Sequence, residues 1–183
     1  MKQLKATVTL LLITAVMAAL LALVHAITAG PIAQATWRKT QAALSGVLAP
    51  GVELQEQLTT FPDDTGLVQA VYATTDGYVI QVAPSGYGGE IQMAVGVDSS
   101  CAVTGVRIIT HSETASLGAT AAADSEAGQR FRAQFQGQTG SLAVTKDGGT
   151  VEALTGATMT SRAVTRGVNA ALECAGALQG GSQ

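Results

Sequence analysis

The longest hydrophobic stretch of the chain lies near its start, where residues 6–27 are apolar apart from threonines and one histidine. About 22 such residues are enough to cross a hydrocarbon core of roughly 30 Å as a helix. A cleaved signal peptide has a shorter apolar region of about 7–15 residues, followed by a small-residue site. Ala26, or Ala29 with Gly30, offers that alternative. The length favours an uncleaved transmembrane anchor over residues 1–30.

The flanks of this helix predict its orientation. Lys2 and Lys5 precede the apolar run, and positively charged flanks stay on the cytoplasmic side of a membrane. The remaining residues, 31–183, are then expected outside the cytoplasm as one domain. His25, near the far end, is either an interfacial side chain that reaches toward the headgroups or a contact for a quinone or proton. We favour the interfacial role.

A weakly amphipathic helix is predicted next, over residues 31–48. Its expected apolar contacts are Ile32, Leu44, Val47 and Leu48. Trp37, Arg38 and Lys39 are residue types that anchor a helix at a membrane interface. Pro50 and Gly51 are expected to end the element.

The pattern changes to that of strands over residues 67–109. Val68, Ala70 and Tyr72 alternate with less apolar positions, and an Asp76-Gly77 pair is a hairpin signal. Three further strands are expected in residues 78–82, 91–97 and 103–109, separated by a glycine-rich loop at 86–89 and a turn at 98–100. Strands this close in sequence predict an antiparallel meander with one buried face.

Helical patterns follow the strands. Residues 125–135 place Phe131 and Phe135 four positions apart on one side of a helix. Residues 142–145 predict a short strand, and residues 146–149 a turn. The last helix carries a helical stripe, which Gly176 is expected to end: Val164, Val168, Ala171, Leu172 and Ala175. Helices beside an antiparallel sheet define an α+β fold class.

Composition narrows the functional classes. The apolar fraction is 47%, enough to build a core, and the formal charge is −3 with no cluster of Lys and Arg, which argues against disorder and against nucleic-acid binding. Without Lys2 and Lys5 the chain keeps 8 basic and 13 acidic residues, a net charge of −5. Cys101 and Cys174 are too few for a cluster or structural zinc site. They form a disulfide or remain buried small hydrophobes, and the sequence leaves both open.

The segment with the most chemical content is residues 152–161, a loop rich in Thr, Gly and Ala that leads into the last helix. Small residues allow a bulky group to approach the backbone. Thr160 or Ser161 could cap the helix, whose free N–H groups favour a nearby phosphate. From the residues alone, a plain capping loop and a phosphate site both remain open.

The same segment resembles the S/T-G-A-T flavinylation motif of the FMN-binding domain shared by RnfG and NqrC proteins. The match is Thr155-Gly156-Ala157-Thr158, and it implies that Thr158 carries FMN through a phosphoester bond. Glu152 stands where the family usually has Asp.

Three other stretches resemble the same family. Residues 111–118 are similar to its H-x-E-T-P-G-L-G loop, with Ala115 and Ser116 in place of Pro and Gly. Residues 86–91 resemble its G-Y-x-G strand entry, and residues 131–137 its F-x-x-Q-F-x-G helix end. The N-terminal anchor and the short length resemble the RnfG branch.

The resemblance implies a set of flavin-contacting residues around Thr158. It comprises Thr155, Gly156, Ala157, Thr160, Ser161, His111, Glu113, Thr114, Leu117 and Gly118. Thr160 is an alternative acceptor, and His111 with Glu113 could instead be a solvated pair at the end of a strand. Tyr87 contacts the cofactor or packs on the sheet, and Asp147, Asp124 and Glu126 are expected to be solvated turn charges. No catalytic residue and no metal ligand are predicted.

The function that the resemblance implies is electron transfer by a membrane-anchored flavoprotein subunit. It would relay electrons within an Rnf-type complex between ferredoxin and NAD, coupled to ion movement across the bacterial inner membrane. The implied partners are the other subunits and an ApbE-type flavin transferase, which attaches the FMN. Two other classes stay open: a redox-sensing or regulatory FMN-binding domain, and an anchored structural domain without a cofactor.

Overall fold

The computed structural model describes residues 2–180 and confirms the α+β class. We number its elements in chain order, and two short 3₁₀ turns, at Gly118–Ala121 and Thr145–Asp147, accompany them. The elements are α1 (Lys2–Gly46), β1 (Leu54–Leu58), β2 (Val68–Thr74), β3 (Gly77–Val82), β4 (Gln92–Asp98), β5 (Val103–Thr110), α2 (Glu126–Ala133) and α3 (Thr158–Gly180). The chain divides into two compact units, Met1–Lys39 and Thr40–Gln183.

The first unit is helical, and α1 continues through the boundary predicted at residues 30 and 31. Its Thr7–Gly46 part is long and apolar enough to cross a membrane. Pro31 lies inside the helix, where it removes one backbone donor but keeps a helical φ, a loss that transmembrane helices tolerate. A separate helix starting at Pro31 is therefore a wrong prediction. The contact expected from Ile32 is also wrong, since that side chain is 62% exposed.

The threonines of α1 do not break its apolar character. Thr9, Thr14 and Thr28 donate their hydroxyl hydrogens to the carbonyl oxygens four residues earlier, at 2.9, 3.1 and 2.8 Å. A hydroxyl bonded to its own helix leaves no donor exposed to lipid. These residues are therefore compatible with a membrane-spanning helix.

The second unit is built on a five-stranded sheet in the order β1-β2-β3-β4-β5, with every neighbouring pair antiparallel. The predicted meander is confirmed for β2 to β5. The β2–β3 hairpin turns at residues 75–76, because Thr74 already pairs with Gly77. Sequence reasoning missed β1, whose three central residues are exposed polar side chains between Leu54 and Leu58.

The sheet is covered on both faces. Val71, Ile80 and Val95 belong to the main core, against which α3 and the two phenylalanines pack. Val79 and Ala94, at alternate positions, form a smaller core with Ala43, Leu44 and Val47. The prediction of a single buried face is therefore wrong, and double coverage explains why Met93–Val97 is buried without a break.

The helices of this unit follow their predicted apolar stripes. All five stripe residues of α3 are buried, but the helix runs through Gly176 to Gly180. Glycine costs a helix only about 1 kcal/mol, and Leu178 packs on the core beyond it. In α2, Ser125 accepts a hydrogen bond from the N–H of Gly128 as N-cap. The ring of Phe131 in α2 meets that of Phe135 edge to face, with centroids 5.5 Å apart. Phe135 lies two residues beyond the end of α2 at Ala133, so the helix predicted over residues 125–135 is shorter than expected.

The segment between α2 and α3 is mostly irregular. The strand predicted over residues 142–145 is wrong, since only Val144 forms a single parallel bridge, with Val151. The turn predicted at 146–149 is confirmed as the Thr145–Asp147 3₁₀ turn, closed by Gly148 with φ 85°. This turn brings Lys146 and Asp147 to the beginning of α3, as described below.

Candidate functional site

Glu113 joins three loops that are far apart in sequence. Its Oε1 accepts hydrogen bonds from the N–H groups of Tyr87 and Gly88 at 2.9 and 3.0 Å. Its Oε2 accepts one from the hydroxyl of Thr160 at 2.5 Å. Glu113 is only 8% exposed, so the suggestion of a solvated strand-end pair is wrong for this residue. The glycine-rich loop, the 111–118 loop and the start of α3 are fixed together by one carboxylate.

The imidazole ring of His111 accepts a hydrogen bond from the backbone of the same loop. The N–H of Glu113 donates to Nδ1 of His111 at 3.2 Å, and the His111 side chain is half-buried. This bond holds the ring over the loop that carries Glu113. Thr114 is exposed, and its carbonyl oxygen accepts from the N–H groups of Leu117 and Ala119. The loop is thereby folded back on itself beside α3.

Thr160 and Ser161 do not cap α3, because the helix already begins at Thr158. The capping role predicted for them is therefore wrong. Ser161 Oγ accepts from the N–H of Leu154 at 3.0 Å and donates to the carbonyl oxygen of Ala157 at 3.0 Å. The two hydroxyls are consequently used inside the protein, one to hold the preceding loop and the other to hold Glu113.

Thr158 stands apart from these buried hydroxyls. It is the first residue of α3 and is half-buried, whereas Thr160 is 2% exposed. The ammonium of Lys146 donates to Oγ1 of Thr158 at 3.2 Å. A hydroxyl at a helix N-terminus lies next to backbone N–H groups that have no partner within the helix, which suits an attached phosphate.

The turn that carries Lys146 is attached to α3 by an ion pair. Arg162 donates from Nε to Asp147 Oδ2 at 2.7 Å and from Nη2 to Oδ1 at 2.5 Å. Hydrogen bonding to Arg162 lowers the pKa of Asp147 below its ordinary value. Asp147 is therefore an exposed turn charge, as predicted, and is in addition paired with Arg162.

Two glycines, Gly156 and Gly118, lie where the 111–118 loop and the segment before α3 pack closely together. Gly156 has φ 74°, and a Cβ there would lie 2.9 Å from Cδ2 of Leu117. A Cβ on Gly118 would overlap the carboxylate of Glu113 and lie 2.5 Å from Thr160 Oγ1. A larger residue at Gly118 would displace the side chains of Glu113 and Thr160, and one at Gly156 would displace the end of the Leu117 side chain and be strained by the positive φ. Glycine at these two positions therefore allows the close approach of the 111–118 loop to the start of α3.

Apolar side chains are exposed around the same loops. Among the described residues of the Thr40–Gln183 unit, the large hydrophobic side chains that remain exposed are Tyr87, Leu117 and Met159, at 74%, 43% and 51%. Each belongs to one of the three loops that Glu113 joins or stands next to Thr158. An isoalloxazine ring needs apolar surface with nearby polar groups, so these residues fit a flavin attached at Thr158.

A surface cavity of about 280 Å³ includes Met159 in its lining. Its walls come from residues 142–147 and α3, and it is lined by Leu142, Ala143, Val144, Asp147, Met159, Arg162, Thr165 and Arg166. Arg166 is held by a 2.8 Å hydrogen bond from its Nη2 to the carbonyl oxygen of Ser85. The cavity is mainly apolar, with Arg162 and Arg166 among its lining residues.

The structure brings together most of the residues predicted for the site, but the flavin contacts themselves stay a prediction. Thr155 is exposed in the loop, and Ala157 is buried beneath it. Sequence reasoning missed Lys146, which stands 12 positions before Thr158 in an ordinary turn, where no local pattern marks it. Within residues 2–180, no group of three or more His, Cys, Asp or Glu side chains could hold a metal ion.

Comparison with known proteins shows the family to which this chain belongs. Residues 86–173 match the model of the FMN-binding domain, and this range includes all three loops and Thr158. The G subunit of the proton-translocating ferredoxin:NAD(+) oxidoreductase complex of Clostridium ljungdahlii is 40% identical over 111 residues, 58% of this chain and 57% of that protein.

Two relatives match over much more of their length. The G subunit of the ion-translocating oxidoreductase complex of Methanosarcina acetivorans is 31% identical over 189 residues, 96% of both chains. The corresponding protein of Pseudomonas aeruginosa UCBPP-PA14 is 37% identical over 169 residues, 84% of this chain and 79% of that protein. The chain therefore belongs to the RnfG family, the G subunits of Rnf-type ion-translocating oxidoreductase complexes, and contains the FMN-binding domain.

Proposed function

We propose that this chain carries FMN covalently on Thr158 and relays electrons between other subunits of an Rnf-type complex. The observation that supports it best is the different burial of the hydroxyls at the start of α3. Thr160 and Ser161 are buried and bonded to protein groups, whereas Thr158 presents its hydroxyl at the start of α3. Thr158 is therefore more accessible to a modifying enzyme than Thr160 or Ser161, while the exposed Thr155 lies in the loop before the helix.

The residues around Thr158 suit a bound flavin. FMN supplies the redox chemistry, and the protein sets its potential through polarity and hydrogen bonds near the ring. Exposed apolar side chains beside the attachment point would keep the ring close to the surface, where it could exchange electrons with a neighbouring protein. A covalent bond would prevent the loss of FMN outside the cytoplasm, where it is not replenished.

The proposed arrangement in the cell follows from α1. Residues 1–30 would serve as an anchor in the bacterial inner membrane, and residues 31–183 would form the outer FMN-binding domain, of which residues 181–183 lie outside the described part of the chain. The relatives are named as subunits of a multi-subunit complex, so we propose the other subunits as docking partners. An ApbE-type flavin transferase would attach the FMN, using FAD as donor.

Intact-mass spectrometry of the full chain, co-produced with a flavin transferase, tests this proposal. We expect the wild-type mass to rise by FMN less water, Thr158→Ala to lose the increase, and Thr158→Ser to retain it because the hydroxyl remains. Thr59→Ala, at an exposed position just after β1, is the matched control and should be modified like the wild type.

The results separate the alternatives. An unmodified wild-type chain, beside a second target that the same transferase does modify, would support a domain without covalent flavin. Modification that persists in Thr158→Ala but is lost in Thr160→Ala would move the acceptor two residues along α3.

A further inference from the structure

Of the charged residues around Thr158, Asp147 and Arg162 form an ion pair with each other, and Lys146 takes no part in it. Asp147 and Arg162 neutralise each other through two hydrogen bonds. Glu113 places a buried carboxylate on Thr160, two residues after Thr158. Lys146 is the cation that directly contacts Oγ1 of Thr158, at 3.2 Å. Without its ammonium, the Thr158 hydroxyl would lose this charged hydrogen-bond partner.

The position of Lys146 is fixed by its neighbour. Asp147 is bound to Arg162, which lies one helical turn beyond Thr158. The 3₁₀ turn that contains Lys146 and Asp147 is closed by Gly148, whose backbone lies in the left-handed region. The ion pair therefore holds the turn against α3 and keeps the Lys146 side chain within reach of the acceptor.

We propose that Lys146 is a positioning residue for flavin attachment, which holds the acceptor hydroxyl of Thr158 and neutralises the phosphodiester formed on it. This inference rests on the proposed function and adds a residue outside the T-G-A-T motif. The ligand of Lys146 is an anionic phosphate oxygen, since a phosphodiester carries one negative charge. Its ammonium forms charge-assisted hydrogen bonds to such oxygens, which are about twice as strong as neutral ones.

The attachment step balances with FAD as donor. Oγ1 of Thr158 forms a bond to the phosphorus on the riboflavin side of the pyrophosphate, and the bond between that phosphorus and the bridging oxygen breaks. AMP leaves with the bridging oxygen, and the hydroxyl proton passes to a base of the transferase. The Lys146 ammonium donates to Oγ1, so it leaves the hydroxyl proton free to depart and stays as the counter-charge of the product.

The test compares the rate of modification, not the activity of the finished complex. Purified full-length chain in detergent is mixed with flavin transferase, FAD and the divalent metal of that enzyme, and intact mass is followed over time. We expect Lys146→Met to be modified about tenfold more slowly or worse, as the loss of one hydrogen bond to a charged group implies. Lys146→Arg should retain most of the rate, because it keeps the charge.

Lys39→Met is the matched control, since it makes the same exchange at an exposed lysine of α1. It should be modified at the wild-type rate. Circular dichroism on the same samples should show that Lys146→Met is folded, as expected for an exposed side chain.

Three outcomes are decisive. Lys146→Met modified as fast as wild type would overturn the role of Lys146 while leaving Thr158 as the acceptor. An equally slow Lys146→Arg would show that the charge is not the cause and would also overturn it. A wild-type chain that stays unmodified by a transferase active on another target would overturn the proposed function and this inference with it.

Discussion

The carboxylate of Glu113 is 8% exposed, and its three hydrogen-bond donors are two backbone N–H groups and a hydroxyl. None of the three carries a formal charge. A buried ionised group is costly unless hydrogen bonds replace its water. The three loops therefore depend on this residue for their relative positions, and the residue depends on all three loops for its solvation.

Removing this carboxylate should destabilise the outer domain. Glu113→Ala leaves two N–H groups and the Thr160 hydroxyl unpaired, which implies a loss of about 3 kcal/mol in the free energy of unfolding. Glu113→Gln should lose less, because its amide oxygen can still accept from Tyr87 and Gly88. Chemical denaturation of the full chain in detergent, followed by circular dichroism, measures both values.

The control for that series is Glu126→Ala. Glu126 is exposed on α2 and pairs with Arg130 across one helical turn, with both side chains 78% exposed. Such a surface pair contributes less than about 1 kcal/mol. If Glu113→Ala were no more destabilising than Glu126→Ala, the carboxylate would not be the link between the loops.

The two cysteines should differ in reactivity. Both are free thiols, Cys101 half-buried and Cys174 buried. Burial, followed by the nearby charge of Asp63, raises the pKa of Cys174 to about 11. At pH 8 only about one Cys174 in a thousand would be a thiolate, which is the reactive form.

We therefore expect a maleimide to modify Cys101 first in the folded protein. Cys101→Ser should remove the fast phase, and Cys174→Ser should leave it unchanged. Absence of any free thiol before reduction would instead favour the disulfide that the sequence left open.

At the scale of elements, two of the glycines of α3, Gly167 and Gly176, have opposite surroundings. A Cβ on Gly167 would lie 2.9 Å from Cγ of Pro84 and 3.2 Å from Cε of Met93, whereas a Cβ on Gly176 would meet nothing within 4 Å. Gly167→Ala should therefore push α3 off the sheet and lower the midpoint of thermal unfolding. Gly176→Ala should raise it, because alanine is favoured in helices by about 1 kcal/mol. A stabilising Gly167→Ala would mean that α3 packs less closely on β3 and β4 than the structure indicates.

The elements that sequence reasoning found are those with strong periodicity. Strands β2 to β5 and the stripe of α3 follow from alternation or helical spacing. The elements that were missed or wrongly predicted either lack this periodicity or are determined by tertiary packing instead. β1 pairs only along an edge with polar residues outward, Val144 makes one bridge, and Gly176 stays helical because the following turn of α3 packs on the core.

At the scale of the whole molecule, the site was predictable only in its parts. The Thr155–Thr158 string and the 111–118 loop could be read as motifs, since each is local in sequence. That Glu113 bonds to Thr160, 47 residues away, and that Lys146 contacts Thr158 depend on how the fold brings the loops to the start of α3. No local sequence pattern encodes those contacts. The motifs therefore predicted candidate site residues, but only the structure shows which residues they contact.

The orientation of the molecule in its membrane remains a prediction that labelling can test. Lys5 lies before the candidate span Thr7–Gly46, while the side chain of Lys2 lies outside the described part of the chain. The positive-inside rule places this end in the cytoplasm and the sheet outside. In a Cys101→Ser, Cys174→Ser background, an impermeant maleimide applied to intact spheroplasts should label Thr59→Cys at once and Lys5→Cys only after permeabilisation. The reverse pattern would put the FMN-binding domain in the cytoplasm, where free FMN is available and the proposed reason for a covalent bond no longer applies.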